Sequence, residues 1–284
     1  MMRSEYASRS IKNAGGLPLM ALALSATIWV GLFAASTSGA GSRFYSSSMT
    51  PGSTVSSMLE FLGGWEVMVI AMMLPSSLGF LTLFRAASSD DRRPAIRRTA
   101  VCLGYALVWA AVGCVAMIVS GAVYRFAGFD LWLTHHSSLF AGLVLVGVGG
   151  FQFTTLKRRC LTVCSHPGSF LMRHYRRGAV NALDLGVRYG IACVGCCWAL
   201  MILMVVLGAG SLYAMLALTA IMFAERALGW NNGFVSVIGL ACVGLGALVA
   251  ASPDAVPALA HNAIMWSGME SMGQLHGPLF WCYA

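Results

Sequence analysis

Seven runs of apolar residues divide this chain, at 17–36, 58–84, 99–124, 138–156, 190–210, 211–224 and 233–251. Most approach the length a helix needs to cross a bilayer, about 20 residues at about 1.5 Å rise each against a hydrocarbon core about 30 Å thick. Composition agrees. Charged residues make up 10% of the chain and apolar residues 58%, whereas a soluble domain carries about 25% charged residues. So little charge does not cover a water-facing surface, and lipid removes that demand. The expected fold is all-α: a polytopic transmembrane helical bundle of about seven spans. It forms one domain over residues 1–251, followed by an external, interfacial C-terminal tail over 252–284. The runs at 190–210 and 211–224 almost touch and are expected to form a helical hairpin.

The cations orient the bundle. Of the 18 Lys and Arg, all but Arg43 and Arg125 fall before the first run or after the second, fourth and sixth. Cytoplasmic loops carry such an excess, so the N-terminus is expected inside, the C-terminal tail outside, and the chain in a bacterial cytoplasmic membrane. The start also reads basic, then apolar, then small, like a signal peptide. Its apolar run exceeds the usual length of about 7–15 residues, so an uncleaved first span is expected. The net charge of +8 is accounted for by these loops. No interleaving of basic and aromatic residues indicates a nucleic-acid partner. The expected partners are the bilayer and other membrane or periplasmic subunits.

Sulfur is abundant, with nine Cys and 17 Met. The fifth run carries Cys193, Cys196, Cys197, Met201 and Met204, whose spacings of three and four share one side of a helix. The second run carries Glu66, Met72 and Met73. With the two helices running oppositely, Met72 and Met73 fall about 21–22 Å below the outer boundary, and Cys196 and Cys197 about 10 Å above the inner one. These depths nearly coincide, so the helices share one soft site if they touch. Cys and Met also pack as plain hydrophobes. In quantity, soft ligands suit copper(I). Glu66, about 12 Å deep, is a functional candidate because a carboxylate at membrane depth needs a partner or water.

Two further groups flank the membrane. A cytoplasmic loop reads Cys160-x3-Cys164-x-His166-Pro167, which offers two thiols and an imidazole to a metal. Lys157, Arg158 and Arg159 beside it favour thiolate, and serve equally as topology determinants. Outside, Asp130-x4-His135-His136 and the tail residues His261 and His276 suit oxidised copper or another transition metal. Glu225, beside Arg226 at the end of the sixth run, reads as an interfacial anchor.

Three phrases then occur in order: Trp65-x-x-Met68-x-x-Ala71-Met72-Met73-Leu74-Pro75-Ser76; Gln152-Phe153-Thr154-x-Leu156-Lys157-x-x-Cys160-Leu161-x-x-Cys164-x-x-Pro167; and Gly190-x-x-Cys193-x-Gly195-Cys196-Cys197-Trp198-Ala199-Leu200-Met201, closed by Glu225-Arg226. Together they resemble the bacterial predicted metal-binding integral membrane proteins, a family of unassigned function often labelled copper chaperone. The resemblance covers about residues 58–230 and implies metal binding. The chain differs from the family pattern at Glu66, where a small residue is usual, at Arg226, where lysine is usual, and in its long tail.

The leading expectation is a copper-binding membrane protein for copper handling or delivery, with copper rather than zinc as the metal. One alternative is a membrane copper-dependent oxidoreductase, monooxygenase-like, acting on a small apolar substrate at a His/Asp centre. Another is a non-catalytic assembly subunit of a membrane complex. Delivery calls for sulfur ligands along a path, catalysis for one compact centre with an open position.

Overall fold

In the computed structural model of the protein, residues 16–37, 55–89, 93–125, 137–206, 212–229 and 233–251 are described, and their regular structure is entirely α-helical. In chain order the helices are α1 (Gly16–Thr37), α2 (Val55–Ala87), α3 (Pro94–Arg125), α4 (Ser137–Gln152), α5 (Thr155–Ser165), α6 (Pro167–His174), α7 (Ala179–Val206), α8 (Leu212–Leu228) and α9 (Phe234–Ala251). Four stretches are long and apolar enough to cross a membrane: Val55–Ala87, Pro94–Val119, Ala179–Met204 and Phe234–Ala251. A fifth arises if Ser138–Gln152 and Thr155–Ser165 form one span. The first expected run corresponds to α1, whose apolar stretch Leu22–Ala34 is shorter. The sixth corresponds to the 17-residue α8.

Pro75 lies inside α2. Proline has no N–H, so the carbonyl four residues earlier loses its helical donor. That carbonyl, Ala71 O, instead accepts from Ser25 Oγ at 3.0 Å and Trp29 Nε1 at 3.3 Å, both on α1. The defect in one helix thereby becomes the docking point of another.

The fourth expected run does not continue straight to residue 156. It breaks after Gln152, and α5 leaves α4 at 64°. Thr154 makes the break stable. Its hydroxyl donates to Phe151 O at 2.8 Å and accepts from Lys157 N at 3.3 Å, capping α5. The expected cytoplasmic loop over 160–166 is therefore mostly helix α5, folded back against α7 and α8. Pro167 then opens α6 at a position where its missing N–H costs nothing.

Two helix pairs run in close contact, α3 with α7 and α4 with α9. Small residues let membrane helices approach to backbone distance. In the α4–α9 seam, a Cβ added at Gly142 would stand 2.7 Å from Gly246 O, and one at Gly246 the same distance from Gly142 O. Gly246→Leu should force the seam apart and destabilise the protein by about 1–3 kcal/mol, the usual cost of overpacking. Thermal unfolding in detergent measures this, and an unchanged midpoint would sink the seam argument.

The interior divides in two. One buried cluster holds Cys164, Cys193, Cys196, Cys197 and seven methionines. The other, built on Phe80, Phe84, Phe170, Leu185 and Tyr189, contains no sulfur among its described members.

Candidate metal centre

The Cys and Met positions of α7 and α2 do meet. Cys193 Sγ lies 4.0 Å from Met73 Sδ, which brings together the two helices whose contact the sequence left open. Cys193, Cys196 and Cys197 are all at most 3% exposed. The thiols of Cys196 and Cys197 donate back to Cys193 O, at 3.0 and 2.9 Å. These bonds fix the two side chains against their own helix.

The break at Thr154 supplies a third helix. On α5, Cys164 is buried, and its Sγ lies 3.7 Å from Cys196 Sγ. With a metal–thiolate bond of about 2.3 Å, two sulfurs on one ion stand about 3.8 Å apart at a tetrahedral angle and about 4.6 Å in a linear pair. The Cys164–Cys196 pair is thus at ligand spacing. Its neighbour Cys160 is half-buried, and Gly195 leaves it room: a Cβ there would meet Cys160 Sγ.

At the centre stands a residue that sequence reasoning passed over. The guanidinium of Arg226, on α8, is buried, and its Nη2 reaches Cys193 Sγ at 2.6 Å, Cys196 Sγ at 3.6 Å and Met73 Sδ at 3.7 Å. Its Nη1 donates to Ser76 Oγ at 2.7 Å, and that hydroxyl donates to Met73 O at 2.9 Å. Tyr105 OH, from α3, lies 3.2 Å from Cys193 Sγ. Five helices therefore converge on one sulfur hub.

Glu225 is not an interfacial anchor. It is buried, accepts from Lys157 Nζ at 2.7 Å and from Gln152 Nε2 at 3.1 Å, and all three residues are at most 2% exposed. Gly229, at φ +68°, closes α8 by donating to Glu225 O at 3.0 Å. This stop places Glu225 and Arg226 together in the last turn. One is taken by Lys157, and the other faces three sulfurs and the Ser76 hydroxyl.

The remaining candidates divide. Met72 and Met201 are buried in the sulfur cluster. Glu66 is half-buried on α2, and its Oε1 has no hydrogen-bond partner among the described residues. His166 is exposed at the junction of α5 and α6, whereas Cys164 is buried. Asp130, His135, His136, His261 and His276 lie outside the described residues. Among the described residues no three His, Cys, Asp or Glu groups are placed to hold one ion in common. The hub instead offers a thiol pair with a thioether and a cation nearby. That donor set suits copper(I), which accepts few, soft ligands, better than zinc, which is almost always held by four.

The sequence model of the PpoB2 family, described as copper chaperone, matches residues 62–249. The chain belongs to the PpoB2 copper chaperone family. The match includes every hub residue of this PpoB2 member, from Met73 to Arg226. No curated protein and no solved structure matches the chain.

Proposed function

We propose that this PpoB2 protein handles copper(I) as cargo within the membrane, holding it at the Cys164–Cys196 pair with Cys193 and Met73 alongside. The observation that carries the reading is the convergence of sulfur from α2, α5 and α7 on Arg226. A copper(I) ion on two thiolates carries one negative charge. A buried guanidinium with no carboxylate partner among the described residues is the matching counter-charge, and burying an unpaired ion is otherwise costly. Family membership supports copper as the metal.

In this proposal the bundle has seven spans with the N-terminus inside and the tail outside, in a bacterial cytoplasmic membrane. The distribution of cations supports that orientation. The tail and the loop around His135 and His136 then present imidazoles where copper is received from, or passed to, a periplasmic or membrane partner. The monooxygenase-like reading needs a His or carboxylate centre, and among the described residues the hub's donors are thiols and a thioether.

Metal analysis of the reduced, purified protein tests the proposal. Wild type should retain about one copper(I) per chain, and Cys164→Ser/Cys196→Ser should lose it, because thiolate is the soft ligand. His135→Ala/His136→Ala should keep the buried copper. Copper lost only from the histidine variant would reject the hub as the holding site.

A further inference from the structure

The methionines of the sulfur cluster are not scattered around the hub. Phe80 stacks on Tyr189 with ring centroids 4.0 Å apart, and Met73 touches Cys193, so α2 and α7 run antiparallel. Five residues separate the end of α7 from the start of α8, and Arg226 returns to the level of Cys193. All three helices can therefore be measured from the hub toward the end where α7 meets α8. At about 1.5 Å per residue, Met222 lies about 6 Å along that direction, Met68 about 7.5 Å, Met201 about 12 Å, and Met204 and Met215 about 16 Å. Met72 sits beside the hub itself. Each is at most 5% exposed, and all belong to the hub's own cluster.

In the opposite direction the chemistry changes. Phe80 and Tyr189 close the hub, with Phe84 and Phe170 behind them, and the described members of that cluster include neither Cys nor Met. Methionine fills irregular gaps in any apolar core. Gap-filling alone gives no reason for every buried methionine of the two clusters to stand on one side of a thiol pair. A thioether ligates copper(I) softly and without charge, which suits brief stops along an apolar path.

We propose that Met68, Met72, Met201, Met204, Met215 and Met222 form a one-sided copper(I) relay, which loads and unloads the thiol hub from the α7–α8 end only. The relay rests on the copper reading above and narrows it. Cargo returns by the side it came from, so the protein captures and hands over copper on one face rather than moving it across the bilayer. Glu66, two turns from Met73 on the same side of α2, stands along the relay with a buried oxygen that has no hydrogen-bond partner among the described residues.

The test is the rate at which reduced, detergent-purified, full-length protein strips copper(I) from its bicinchoninate complex, followed by loss of the probe's colour. Leucine conserves methionine's volume and core packing tolerates the exchange, so Met201→Leu/Met204→Leu/Met215→Leu is the main variant. It should reach the wild-type endpoint about tenfold more slowly or worse, a barrier increase of about 1.4 kcal/mol. Phe84→Leu, on the aromatic side behind the ring pair that closes the hub, should load at the wild-type rate. If the triple variant does not fold, Met204→Leu alone should still slow loading. Full uptake at the wild-type rate in the methionine variants would overturn the relay while leaving the hub intact. Wild-type protein that takes up no copper would overturn both.

Discussion

Glu225→Leu should destabilise the protein by about 3–5 kcal/mol, and adding Lys157→Met should restore most of that loss. The single substitution strands the Lys157 ammonium, 1% exposed, with no anion. It also removes the acceptor of Gln152 Nε2. The double substitution removes both charges at once and leaves apolar groups of similar length in an apolar site. A buried pair costs little to replace and much to halve, because the desolvation of each ion is offset only by the other. Denaturation of the two variants in the same detergent decides the matter. Equal losses in the single and double variants would mean that Lys157 reaches water by another route.

Arg226→Met should weaken copper(I) binding by about 10–100-fold, the usual effect of removing a group that supports a metal's ligands. The surrounding charges explain why. Among the described residues around the hub, Lys157 and Arg226 bring two buried positive charges, and Glu225 supplies one negative charge that Lys157 already holds. The charge left over lies against the sulfurs of Cys193, Cys196 and Met73. An anionic copper–thiolate unit neutralises it, and without the guanidinium that unit would be a lone buried anion. Arg226→Lys should lose less, since the charge remains while the fork that spans Ser76 and three sulfurs does not. Chelator competition gives the affinities. Arg226→Met with wild-type affinity would remove the arginine from the site's electrostatics.

Much of this hub was legible along single helices. The three- and four-residue spacing of Cys193, Cys196 and Cys197, continued by Met201, needs only helical geometry, and the shared depth of Met73 needs only the rise per residue. The rest depends on contacts across the chain. Cys164 reaches Cys196 because Thr154 stops one helix and caps the next, and a threonine inside an apolar run does not declare that a break will occur there. Lys157 and Glu225, 68 residues apart, each stand at the end of an apolar run, where charge ordinarily meets water and sets topology. Their burial follows from α5 folding inward, which no local pattern announces. Arg226 was missed for the same reason, although the adjacent Glu225–Arg226 pair was visible as a departure from apolar sequence.

The cation at the centre of the hub is also the last of its parts to be made. Met73, Cys164, Cys193 and Cys196 all precede Arg226, which follows Cys196 by 30 residues. At a translation rate of about 5–20 residues per second, that interval lasts roughly 1.5–6 s. During it the nascent chain carries Cys193 and Cys196 without the guanidinium that contacts both in the folded bundle. The hub becomes electrostatically complete only when α8 docks, so the order of synthesis leaves its charge balance to be settled by the last helix but one.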